Sequence, residues 1–181
     1  MRKLPVAIPK STVSVLERMF PGLMQDTQVP LVPSPFPGGG REIRFKLVFY
    51  DGSRLDCREI FDPNSQIKEL YEYYYDWFNA DGVLLKKFHA HYHPNSTPVE
   101  ITQYDPWHFH LKLNFADQHG DNRSSADPEG MTLQDVLKEI KGYIAIRQYD
   151  CRSRDPSPQK KKSRYPSSSP RNANYSISSK H

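Results

Sequence analysis

The stretch IRFKLVFYDGSRLDCREI, residues Ile43 to Ile60, decides the fold class. Ile43, Phe45, Leu47 and Phe49 alternate with Arg44, Lys46, Val48 and Tyr50. Successive side chains of a strand point to opposite faces, so this period of two predicts a strand with one apolar face. Asp51-Gly52 is a type I′ hairpin signal, and Arg54 to Ile60 runs back beside the first strand. The pattern repeats downstream. Leu70 to Phe78 is dense in aromatics, which suit a pleated surface. Asn79-Ala80-Asp81-Gly82 predicts another hairpin turn, Val83 to Phe88 returns, and a fifth strand is expected from Trp107 to Phe115. The period changes only near the end. Leu133, Val136, Leu137, Ile140, Tyr143 and Ile144 recur at helical spacing, with Thr132 placed as N-cap and Asp135 three residues on. The expected architecture is α+β, an antiparallel sheet of about five strands with a C-terminal amphipathic helix packed on one face.

The flanks read differently. Residues 1–40 form a Pro/Gly-rich N-terminal arm: Pro30, Pro33, Pro35 and Pro37 precede Gly38-Gly39-Gly40, and one short helix fits between Ser11 and Phe20 before Pro21-Gly22. Residues 41–151 are the single α+β domain. Residues 152–181 hold eight basic side chains, one acid, many Ser and Pro, and Ile177 as the largest aliphatic group, which predicts a disordered basic tail. The net charge of +4 is therefore a tail of +7 on a remainder of −3. No apolar run approaches the ~20 residues of a membrane span. Met1-Arg2-Lys3-Leu4-Pro5 is followed by no continuous apolar region, which argues against a secretory leader. The two cysteines, Cys57 and Cys151, match no metal spacing and fit a reducing cytoplasm.

Chemistry concentrates in histidine. Five of the seven fall in two short elements, Phe88-His89-Ala90-His91-Tyr92-His93-Pro94 and Pro106-Trp107-His108-Phe109-His110. On a strand His108 and His110 share a face with Lys112, while Trp107, Phe109 and Leu111 take the core face. His89, His91 and His93 share a face if the backbone stays extended. Two chemistries fit. Histidines at i and i+2 can hold zinc or another borderline metal, through His89, His91, His108 and His110, with Glu100 and Asp105 as the nearest acids. Alternatively, without any cofactor, one histidine deprotonates an RNA 2′-hydroxyl and another protonates the leaving 5′-oxygen. Lys112 then stabilises the charge on phosphorus, with Lys87 second in line.

Other features carry less. The Tyr71, Tyr73, Tyr75 and Trp77 run reads as sheet packing before it reads as a base-stacking platform. Lys160, Lys161, Lys162 and Arg164 are the candidate nucleic-acid contacts of the tail. Gly38-Gly39-Gly40 precedes a strand, not a helix, so it is no phosphate loop.

The order of these elements resembles the small prokaryotic TumE family of toxin–antitoxin proteins. An aromatic strand, an Ala80-Asp81-Gly82 turn, a strand into His91-Tyr92-His93-Pro94, a second element Trp107-His108-Phe109-His110 and a Thr132 to Leu137 helix follow one another. The resemblance spans about Phe45 to Ile144. It implies a cytoplasmic toxin encoded beside a helix-turn-helix antitoxin that neutralises it. It also implies ribonucleolytic chemistry, with His91, His93, His108 and His110 as the residues that carry over, and His108 with one of His91 or His93 as the expected general base and acid.

Overall fold

The computed structural model of the chain describes residues 10–29, 32–64, 69–111, 122–126 and 132–154. Helix α1 (Val13–Met19) leads into β1 (Met24–Gln28) and β2 (Ser34–Phe36). Four long strands follow: β3 (Gly40–Phe49), β4 (Arg54–Phe61), β5 (Leu70–Phe78) and β6 (Leu84–Ala90). A single-turn helix α2 (Val99–Thr102) precedes β7 (Trp107–Leu111) and β8 (Asn122–Ser125), and α3 (Leu133–Arg154) comes last. The strands form one antiparallel sheet in the order β1-β3-β4-β5-β6-β7-β8, with β2 also paired to β3.

The α+β class and the C-terminal helix agree with the sequence, but among the described residues the sheet has eight strands, not about five. The three additional strands read MQDTQ, SPF and NRSS. None has apolar alternation, because each lies at a sheet edge and is held by backbone pairing. Pro35 is tolerated in β2 because an edge strand can leave one side of its backbone unpaired. The hairpin turns also differ from the two-residue type I′ form. The Phe49 N–H donates to the Ser53 carbonyl at 2.9 Å, so Tyr50, Asp51 and Gly52 form a three-residue loop. Gly52 closes it at φ +81°, where a side chain would be strained.

Register sorts the side chains onto two faces. Phe45, Cys57, Tyr75, Phe88 and Phe109 form a row across β3 to β7 on one face. The neighbouring row, Arg44, Arg58, Tyr74, His89 and His108, lies on the other. Helix α3 covers the apolar face with Leu133, Val136, Leu137, Ile140 and Ile144, all buried. Each such side chain contributes roughly 1.5–3 kcal/mol by leaving water, so packing holds α3 in place. Thr132 caps the helix through a hydrogen bond to the Asp135 carboxylate, and the Asp135 N–H donates back to the Thr132 hydroxyl at 3.3 Å. Lys86 on β6 reaches Glu139 of α3 at 2.8 Å. Leu16, Phe20 and Leu23 join the same core, so the packing includes chain upstream of Arg41.

One acid lies inside this core. Glu59 is fully buried and accepts hydrogen bonds from the Ser11 N–H at 3.1 Å, the Ser11 hydroxyl and the Tyr75 hydroxyl at 2.7 Å. Burial raises its pKa, and those hydrogen bonds oppose the rise without cancelling it. Among the described residues, no helix is long and apolar enough to cross a membrane.

Candidate functional site

The histidine site grows from the pairing of β6 with β7. His89 stands directly opposite His108, and Lys87 opposite His110. Paired strands lie about 4.8 Å apart, so this register alone brings their imidazoles together on the polar face. β6 ends at Ala90, but the His91 N–H still donates to the Pro106 carbonyl at 2.9 Å. That bond carries the chain far enough for His91 and His93 to fold over the same face. The connection through α2 returns to β7 by way of Asp105, whose peptide bond to Pro106 is cis. Asp105 then ties the two ends of this connection together. Its Oδ2 accepts the His93 N–H at 2.7 Å, and its Oδ1 lies 2.5 Å from His93 Nδ1.

The five rings converge around His108. Its centroid is 5.7 Å from His89, 5.0 Å from His91, 5.7 Å from His93 and 5.1 Å from His110. His108 has 0% exposure, against 6% for His110 and 9% for His89. Neither of its ring nitrogens has a hydrogen-bond partner among the described residues. Burial, together with the neighbouring His89 and His93, pushes its pKa down to about 4, so this ring is neutral at pH 7. One nitrogen from each of His89, His91 and His108 lies within 4.8 Å of the other two.

Neighbours orient the outer rings. His89 Nε2 meets Asp76 Oδ1 at 2.9 Å. Tyr74 stacks on His91 at 4.9 Å and meets the edge of His89 at 5.0 Å. Burial and Glu72 push the Tyr74 phenol well above its ordinary range, so it stays neutral. Beside His89 an open groove of about 530 Å³ runs over Arg44, Lys46, Arg58 and Tyr74. Its charge is balanced: Arg44 and Arg58 both pair with Glu42, the latter at 3.0 Å, and Lys46 lies 4.0 Å from Asp56.

The structure thus gathers His89, His91, His93, His108 and His110 in one place. His108 and His110 do lie on the face away from the apolar core, but both are buried there. Lys112 lies outside the described residues, as do Lys160, Lys161, Lys162 and Arg164 of the tail. A different cation occupies this face. Arg123 of β8 is paired with His110 in register, and its charge contributes to holding His108 neutral. Nothing in the local sequence Asn122-Arg-Ser-Ser125 marks it, because its role depends on a pairing between distant segments. Glu100 lies on α2, in the connection between the two histidine elements, whereas Asp76 of β5 is the acid that meets His89 and that sequence proximity could not show.

A family model described as "Toxin TumE" matches residues 16–144. No curated protein and no solved structure gives a match. The family match covers well over half of the chain, and the chain belongs to the TumE toxin family.

Proposed function

We propose that this member of the TumE toxin family cleaves RNA at the histidine cluster, in the cytoplasm, and is neutralised by a helix-turn-helix antitoxin encoded beside it. The observation that carries the reading is the convergence of five imidazoles at one point, with His93 clamped by Asp105. His108 has no exposure at all, so proton transfer falls to the rings at its edges, which keep some. His93 and His110 flank it at 5.7 and 5.1 Å. In-line displacement at phosphorus needs one group near the attacking oxygen and another near the leaving oxygen.

In this reaction His93 takes the proton of the 2′-hydroxyl through Nε2. The 2′-oxygen forms its bond to phosphorus as the bond to the 5′-oxygen breaks. His110 gives a proton to that leaving oxygen, and the products carry a 2′,3′-cyclic phosphate and a 5′-hydroxyl. Asp105 fixes the orientation of His93 through Nδ1, as carboxylates do for catalytic imidazoles. Arg123 and Lys87 supply positive charge next to His110 in register. The basic tail, including Lys160, Lys161, Lys162 and Arg164, adds attraction to the RNA backbone without selecting a sequence.

The test is induced expression in cells without the antitoxin. The wild type should arrest growth and degrade RNA. The His93→Ala/His110→Ala double variant, at equal soluble level, should do neither. Intact RNA and equal growth with both proteins would remove the reading.

A further inference from the structure

We propose that His89, His91 and His108 bind one borderline divalent cation, of which zinc(II) is the chemical type. The proposal goes beyond RNA cleavage and stands on the geometry of these three residues alone.

Three observations meet here. One nitrogen of each ring lies within 4.8 Å of the other two. Zinc–nitrogen bonds are about 2.0–2.1 Å long, and tetrahedral angles then place ligand nitrogens roughly 3.3 Å apart. Small rotations about the side-chain bonds close that difference. His108 is wholly buried with both nitrogens unpartnered among the described residues, an arrangement that ligation resolves. Asp76 holds His89 Nε2 at 2.9 Å, leaving Nδ1 to face a metal. A carboxylate on the second nitrogen is the usual support of a ligating imidazole.

The donor set selects the ion. Three imidazole nitrogens suit zinc, cobalt or nickel, whereas magnesium and calcium require oxygen. Cys57 lies on the opposite face of the sheet and offers this site no thiolate. Three protein ligands leave the fourth position of a tetrahedral ion to water or to a phosphate oxygen.

The probe is cobalt(II) added to the untagged full-length protein after treatment with chelator. A single equivalent should produce the visible absorption bands of a tetrahedral site, and zinc should displace it. His91→Ala or His108→Leu should weaken binding at least about 100-fold, and Asp76→Asn about 10–100-fold. His110→Ala should bind as the wild type does, with circular dichroism confirming that each variant is folded. Absence of the bands, or the same titration in folded His91→Ala and His108→Leu, would overturn the site. The two proposals fail separately. Metal-free protein that cleaves RNA and never takes cobalt overturns the metal site alone. Loaded protein that leaves RNA intact counts against cleavage and keeps the metal site.

Discussion

Replacing His108 by leucine should make the chelator-treated protein more stable. His108 is 0% exposed, and neither ring nitrogen is hydrogen-bonded among the described residues. A buried polar group without a partner costs about 1–3 kcal/mol in proteins. Leucine has nearly the volume of histidine and carries no such cost, so the gain should be of the same size. For a chain of this length, each kcal/mol moves the melting temperature by about 2–4 °C. The assay is urea unfolding followed by circular dichroism at pH 8 with EDTA present. The midpoint should rise with the slope unchanged, since the surface exposed on unfolding is the same. A variant destabilised by more than about 1 kcal/mol would refute the argument, because it would mean that the imidazole nitrogens are satisfied in the native protein.

Three other outcomes can be measured. Glu59 holds its proton to higher pH in the folded chain than in the unfolded one, so it lowers stability as pH rises through that interval. Glu59→Gln keeps an acceptor for Tyr75 and should flatten this dependence, leaving the variant at least as stable as wild type at pH 8; urea titrations from pH 4 to 8 measure it. Cys57 is buried and its thiol is pushed well up, so in a Cys151→Ser background it should resist a thiol reagent until the protein unfolds. Rapid labelling of folded protein would contradict that. Deleting residues 155–181 removes six of the tail's eight basic groups, and should weaken RNA binding and flatten its dependence on salt. Unchanged binding at every salt concentration would exclude the tail from that role.

Much of the frame was legible because alternation is a strong local signal. The period of two in Trp107 to Leu111 separates His108 and His110 from Trp107, Phe109 and Leu111, and β6–β7 pairing keeps them apart on two faces. Helical spacing likewise marks Leu133 to Ile144 as the covering helix. The edge strands were not legible, since polar segments such as Asn122–Ser125 are recruited by a neighbour's backbone. Burial of His108 was not legible either. It depends on His91 and His93 folding over β7 from beyond the end of β6, and on Asp105 reaching back to fix them. The role of Arg123 was not legible for the same reason, as its partner His110 lies on another strand.

The central claim is that the clustered histidines break RNA. It is tested most directly by incubating purified full-length protein with an end-labelled single-stranded RNA and identifying the new termini. The account predicts 2′,3′-cyclic phosphate and 5′-hydroxyl ends, with the rate lowered about 10²–10⁴-fold by His93→Ala. Intact RNA with the wild type, or equal cleavage by the His93→Ala/His110→Ala variant, would contradict it.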